Sequence, residues 1–361
     1  MRFVTLVGAR PQFVKLAPVS AALRAYHQEI IIHTGQHYDV NMSDVFFQEL
    51  RIPKPDFHLG LGAGTHGEMT GKMTEAIEKM LISIKPDGVI VFGDTNSTLA
   101  GALAAVKIHI PVAHVEAGLR SYNKSMPEEI NRILTDHISY RLYCPTETAR
   151  KQAAAEGLIN GVEVSGDVMY DAILMARNKM AERSRDLLQS LHVNSGEFAL
   201  ATIHRPVNTD DPAALKRIAA AFEQCGMPIL FPAHPRARKF AAEYGVVWSR
   251  NVTIIDPIGY LDMLALEQSA HRILTDSGGV QKEAFLMQTP CVTLREDTEW
   301  PETLEGGWNI LTGNDTARIT AALTRSEPVY MSKNPFGDGH AAEKIVKSLN
   351  FWSKSDWFSH K

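Results

Sequence analysis

Short, almost unbroken apolar runs recur along this chain, and nearly every one is followed at once by a polar, usually glycine-containing segment. FVTLV (3–7), EIIIH (29–33), GVIVF (88–92), PVAHV (111–115) and RLYC (141–144) mark the first half. FALATI (198–203), PILF (228–231), VTII (252–255), RILT (272–275) and CVTL (291–294) mark the second. Runs this short and this apolar suit strands covered on both faces, as in parallel sheets. Helical patterns such as NSTLAGALAAVKI and VQKEAFLM lie between them, and the alternation predicts an α/β architecture.

The polar segments include GARPQ (8–12), GQHYD (35–39), GDTNS (93–97), HVEAGLR (114–120), IHRPVN (203–208), AHPR (233–236) and TDSGG (275–279). Open parallel sheets bind ligands beyond the carboxyl ends of their strands. Both halves offer such an edge, so the expected architecture is two Rossmann-like domains facing a cleft. A length of 361 residues fits two domains. The charged stretch RNKMAERSRDLLQSL and the turn NSG put the break near 166–195, giving domains over 1–168 and 169–340.

A formal net charge of -4 and a pI of about 6.4 give no basic surface for nucleic acid. No apolar run reaches membrane-spanning length, and MRFVTLVGARPQ reads as a strand entering a loop rather than a signal peptide, so a cytoplasmic protein is expected. Cys144, Cys225 and Cys291 are widely spaced within or beside apolar runs and read as core residues, with neither a disulfide framework nor a metal site.

In TDSGGVQKEA a strand ends, Gly278 and Gly279 let a phosphate approach the backbone, and the start of a helix can hold it. Glu283, one turn on, suits a ribose. An ordinary strand-to-helix turn capped by Ser277 explains the same residues equally well. Arg10 follows the first strand at a Gly8 turn, with Lys15 on the next helix; a guanidinium there suits a pyrophosphate or a surface carboxylate. GARPQ is not the GxGxxG dinucleotide fingerprint, which weakens a nicotinamide reading. Asp94 ends a strand, where helix capping competes with catalysis. His204 and His234 both end strands with Arg205 and Arg236 near by, a pattern that leans toward anion binding.

PEEINR reads as a helix start with Glu128 and Arg132 spaced for an i,i+4 pair. Glu116 is different. It follows an apolar strand and precedes Ala117-Gly118, where a carboxylate is partly buried and needs a partner or a chemical task.

Taken in order, GARPQFVKLAPV, TGQH, GDTNSTLAGALAA, HVEAGLR, PEEINR, PTET, DPIGYLDML and TDSGGVQKEA resemble the non-hydrolysing UDP-N-acetylglucosamine 2-epimerases over nearly the whole chain. GARPQF, NMSDVFF, GTHGEMTGKM, RSYNKSMPEEINRILTD and DTEW are similar to the branch that acts on UDP-2,3-diacetamido-2,3-dideoxyglucuronate. The resemblance implies a glycosyltransferase-B-like fold, a homodimer, no cofactor, and a C-terminal helix at about 341–361 packing back on the first domain. It implies a role in bacterial surface polysaccharide synthesis, O-antigen or capsule.

By motif position, Asp94, Glu116, Glu128 and His204 are implied in catalysis. Arg10, Lys15, Arg132, His234, Ser277, Gly278, Gly279 and Glu283 are implied in holding the UDP-sugar. Gln36 and His37 match a regulatory UDP-sugar site, and Arg120 or Arg132 is expected to position the carboxylates. The chain departs from the glucosamine enzymes in reading Gln12 in GARPQ for GTRPE, Ala63-Gly64 for Arg-Gln, and Val207 for the Glu of HRxEN, with Asn208 kept. The same epimerisation of UDP-N-acetylglucosamine, a glycosyltransferase and a sugar-nucleotide sensor all remain open on sequence.

Overall fold

The computed structural model describes residues 1–36, 46–329 and 334–352. The chain divides into two compact units, Met1–Met175 with Asn334–Lys361, and Ala176–Lys333. The division falls inside one continuous helix, Val168–Ser190, whose apolar first half and charged second half belong to different units.

The first unit is a seven-stranded parallel sheet of β1 (Arg2–Val7), β2 (Gln28–His33), β3 (Phe57–His58), β4 (Gly88–Phe92), β5 (Val112–Val115), β6 (Arg141–Cys144) and β7 (Val162–Val164). Its order is β3-β2-β1-β4-β5-β6-β7. Helices His66–Ile84 and Asn96–Lys107 lay Met73, Ile77, Leu81 and a row of alanines on Val4, Leu6, Val89 and Val91. The alanines matter because they let the backbone come close. A Cβ at Gly101 would stand 2.3 Å from the Leu6 side chain.

The second unit is a six-stranded parallel sheet of β8 (Ala199–Thr202), β9 (Ile229–Pro232), β10 (Val252–Ile255), β11 (Arg272–Thr275), β12 (Cys291–Thr293) and β13 (Asn309–Leu311). Its order is β10-β9-β8-β11-β12-β13. The two sheets repeat one Rossmann pattern, in which strand order reverses beside the first strand. That switch point lies between β1 and β4 in one sheet and between β8 and β11 in the other. GARPQ and GDTNS flank the first; IHRPVN and TDSGG flank the second.

The C-terminal helix Ala341–Leu349 belongs to the first unit. Asp171 accepts from the N–H groups of Ala341 (3.1 Å) and Ala342 (2.9 Å), satisfying donors at the helix start, while burial pushes its carboxyl up. Trp352 donates its indole N–H to the Asp87 carbonyl at 3.1 Å and meets Phe3 edge-on at 5.7 Å. The end of the expected tail, 353–361, lies outside the described residues, as does His37. All three cysteines are buried. Among the described residues no helix is long and apolar enough to cross a membrane.

Candidate active site

One strand along from the first switch point, the turn after β5 puts Glu116 at φ 70°, a left-handed conformation that a Cβ-bearing residue adopts at a cost of order 1–3 kcal/mol. The Tyr143 carbonyl holds it there by accepting from both Glu116 and Ala117 N–H at 3.1 Å. The side chain pairs with Lys15, and both are nearly enclosed. Lys15, expected among the nucleotide contacts, thus stands with the carboxylate. Gly93 abuts the pair: a Cβ there would lie 3.1 Å from Lys15 Nζ and 3.4 Å from Glu116 Oε1.

The next residue, Asp94, is not the helix cap. Thr95 performs that task, accepting from Thr98 N–H at 3.3 Å. Asp94 Oδ2 instead accepts from Arg132 Nε (3.1 Å) and Nη2 (2.8 Å), and its carbonyl accepts from Asn131. Arg132 also donates to Glu129 at 2.7 Å, so the expected i,i+4 pairing with Glu128 is replaced by an i,i+3 partner and a distant one. Burial works against the Glu129 charge, but donors at Ser121, Arg132 and Tyr122 hold its carboxyl below the usual range. Glu128 is exposed in the first turn of Pro127–Ile138, where the helix dipole favours it.

Arg120 does not position these carboxylates. It is buried, bonding Asp136 at 2.7 Å and Glu156 through two bonds of 2.7 Å. Gln12 is also structural: its Oε1 accepts from Gly8 N–H (2.8 Å) and Ala9 N–H (3.0 Å), and its Nε2 donates to the Phe92 carbonyl (2.9 Å) and Thr98 (3.0 Å). A glutamate could not make those last two bonds as an ionised group. Arg10 opens the helix Arg10–Arg24, half-buried. Gln36 accepts from Ser97 N–H at 2.9 Å and from its hydroxyl at 2.7 Å, at the start of the helix after Asp94.

GAGTHG (62–67) spells GxGxxG, but its first glycine serves packing and its last faces open space. A Cβ on Gly62 would fall 2.0 Å from the Gly35 carbonyl oxygen, and the strand before it, β3, is a two-residue edge.

At the second switch point Asp276, fully buried, gathers the turn after β8. It accepts from His204 N–H (3.1 Å), Arg205 N–H (3.0 Å), Asn208 (3.1 Å) and His204 Nδ1 (2.9 Å). Burial opposes its charge and these donors, His204 foremost, hold its carboxyl low. Asp276 fixes the ring of His204, leaving Nε2 as the remaining donor or acceptor. Val207 is exposed, so the turn is ordered by Asn208, which also donates to the Leu294 carbonyl at 2.9 Å. The His234 ring stands 6.2 Å from that of His204 and caps its own helix.

A cavity of about 180 Å³ lies here, walled by Ile203, Pro257, Ile258, Met263 and Val280 with His204, His234 and Ser277 among its lining residues. Flat apolar walls with polar groups among them suit a base and its phosphates. Ser277 caps Gly278–Leu286, and a Cβ on Gly279 would meet nothing nearer than the Ser277 hydroxyl at 3.8 Å. These glycines leave room rather than serve the backbone. Glu283 is buried in the same helix. Glu267, fully enclosed, has its carboxyl pushed well up by burial and by Glu283.

Residues 21–350 match the family model described as UDP-N-acetylglucosamine 2-epimerase. The chain belongs to that family. It is 50% identical over 354 residues to a Methanococcus maripaludis UDP-N-acetylglucosamine 2-epimerase homolog, covering 97% of this chain and 99% of the relative. It is 46% identical over 359 residues, with the same coverage, to the UDP-2,3-diacetamido-2,3-dideoxy-D-glucuronate 2-epimerase of Pseudomonas aeruginosa. The crystal structure of the Methanocaldococcus jannaschii UDP-GlcNAc 2-epimerase, in complex with UDP-GlcNAc and UDP, superposes with a TM-score of 0.89 at 44% identity, covering 98% of this chain and all of that one. The protein is a UDP-sugar 2-epimerase, an isomerase, with the two Rossmann-type units of a glycosyltransferase-B-like fold.

Within an epimerase the observed groups divide by chemistry: enclosed carboxylates paired with cations in one unit, and histidines and a helix start in the other. Glu129, Asp136 and Asp276 went unassigned on sequence. Asp276 had a signal, an acid directly before Ser-Gly-Gly; Glu129 had none that separated it from Glu128.

Proposed function

We propose that the enzyme inverts C2 of UDP-2,3-diacetamido-2,3-dideoxyglucuronate to the manno form, for bacterial surface polysaccharide synthesis, acting as a homodimer. The observation that carries the chemistry is the enclosed Lys15–Glu116 pair against the Gly93–Asp94 turn. No carbonyl acidifies the C2 hydrogen of such a sugar. Elimination avoids the difficulty: a carboxylate takes the C2 proton, the C1–O bond breaks, and UDP departs with that electron pair, leaving a C1=C2 glycal. Return of UDP to C1 with protonation on the opposite face of C2 gives the epimer.

Arg10, His204 and the helix start at Ser277 stabilise the departing diphosphate. Glu116, Asp94 and Glu128 supply proton transfer on the two faces. Glu283 and His234 hold the nucleoside and phosphates.

Support for the uronate is the similarity to the Pseudomonas relative and the RSYNKSMPEEINRILTD and DTEW stretches. DTEW borders the nucleotide helix: a Cβ on Gly278 would lie 3.5 Å from Glu299 and 3.7 Å from Trp300. UDP-GlcNAc is the second reading, favoured by the similarity to the Methanocaldococcus enzyme that binds it. Measuring kcat/KM for both sugars decides. The proposal expects at least about a 100-fold preference for the uronate, the discrimination a charged group held by specific partners can reach. Equal use or the reverse preference would assign UDP-GlcNAc. Sedimentation of the purified enzyme at working concentration tests the dimer; a monomer that turns over at full rate removes that part.

A further inference from the structure

His114 is fully buried on β5, and both of its ring nitrogens are engaged at 2.7 Å: Nε2 with the Gly93 carbonyl and Nδ1 with Asp136 Oδ1. A carbonyl only accepts, so Nε2 carries a proton. Asp136 Oδ2 accepts from Arg120 (2.7 Å) and from Gly118 N–H (3.1 Å), which fits an ionised carboxylate; facing it, Nδ1 carries a proton too. The ring is then an imidazolium, and the charges close: His114 and Arg120 against Asp136 and Glu156.

These bonds join two turns. Gly93 O belongs to the turn carrying Asp94, and Gly118 N to the turn that follows Glu116. We propose that His114, held as an imidazolium by Asp136, is a positioning residue that ties the Gly93–Asp94 turn to the Glu116–Arg120 turn and so fixes the spacing of the proton-handling groups. This rests on the elimination reading above. Losing either ring proton breaks one of the two ties while leaving the sheet paired.

Several charged and titratable groups surround the ring. Asp136 touches it from the helix Pro127–Ile138, with Arg120 behind and Glu156 and His137 beyond. Lys15 and Glu116 stand across Gly93. On β6, the Cys144 thiol is pushed up to about 12, by burial first and then by the Asp136 charge, and stays neutral.

The test is NMR of the full-length enzyme labelled with ¹⁵N-histidine, beside steady-state kinetics. In the folded enzyme His114 is expected to show two protonated-type nitrogens, one for each of its acceptors. A single-tautomer neutral pattern overturns the proposal. His114→Gln, which can donate to only one of the two partners at a time, is expected to lower kcat on the order of 100-fold, with UDP affinity within threefold of wild type. Wild-type kcat in a folded His114→Gln overturns it as well. Should that variant fail to fold, Asp136→Asn serves instead: it is expected to turn the ring neutral and lower kcat similarly, and an imidazolium surviving there contradicts the assignment. Failure of the elimination reading looks different: wild-type enzyme then inverts C2 while the bond between C1 and the bridging oxygen stays intact, whatever the state of the His114 ring.

Discussion

Glu116 combines an unfavourable backbone angle, near-complete burial and a cationic partner in Lys15, a combination that costs stability and serves chemistry better than folding. Glu116→Gln keeps the shape and a hydrogen-bonding group, so the variant is expected to fold and to lose on the order of 10²–10⁴ in kcat; rates on either UDP-sugar, with circular dichroism as the control, check this. UDP affinity should change little, because Glu116 is assigned to proton transfer and not to holding the nucleotide. Glu129 is the contrasting case, a carboxylate with structural duties. Its folded-state proton affinity is depressed, so its stabilisation is complete above the ordinary carboxylate range and is lost as pH falls through the lowered value. Glu129→Gln is expected to cost about 3 kcal/mol at neutral pH, as when one partner of a buried pair is removed. In urea unfolding, the gap between variant and wild type should narrow on acidification; a gap independent of pH would deny Glu129 its charge-dependent role.

At the scale of elements, the glycines sort into those the fold needs and those a ligand needs. A Cβ on Gly8 would lie 2.0 Å from Thr34 Oγ1 and 2.3 Å from Ser97 Oγ, so Gly8→Ala is expected to destabilise by about 1–3 kcal/mol in thermal or urea unfolding. Gly279→Ala makes only an ordinary contact with the Ser277 hydroxyl at 3.8 Å and is expected to melt no lower than wild type while weakening UDP binding at least about tenfold, the loss of roughly one good contact. Calorimetry reads that, and unchanged affinity would remove the phosphate from this helix start. The same contrast explains what was legible beforehand. Interior strands declared themselves as apolar runs because both faces are covered. β3, β7 and β13 did not: each lies at a sheet edge and is short, and β7 (VEV) and β13 (NIL) carry polar residues. Motif order put Asp94, Glu116, His204 and Ser277 just after strands, and each does follow one. It could not tell that Arg120 and Gln12 serve the scaffold, because spacing does not reveal which partner a buried polar group finds across the sheet.

For the whole molecule, two Rossmann patterns in one chain give two sheet edges of the kind that bind ligands, and the proposed mechanism gives them different tasks: the nucleotide mainly to the second, proton transfer to the first. The C-terminal return stabilises the first unit. Trp352→Ala removes contacts with Phe3, Gly88 and Tyr140, and should lower stability by about 3–5 kcal/mol in denaturant unfolding with UDP affinity unchanged. What joins the two tasks is departure of UDP from the anomeric carbon, and an isotope reports on it. With ¹⁸O in the bridge between C1 and the β-phosphorus, cleavage during turnover frees the diphosphate to rotate before it returns. Label is expected at non-bridging β-phosphate positions in recovered UDP-sugar, at a rate comparable with epimerisation. Complete retention of label in the bridge while the C2 epimer accumulates would contradict it.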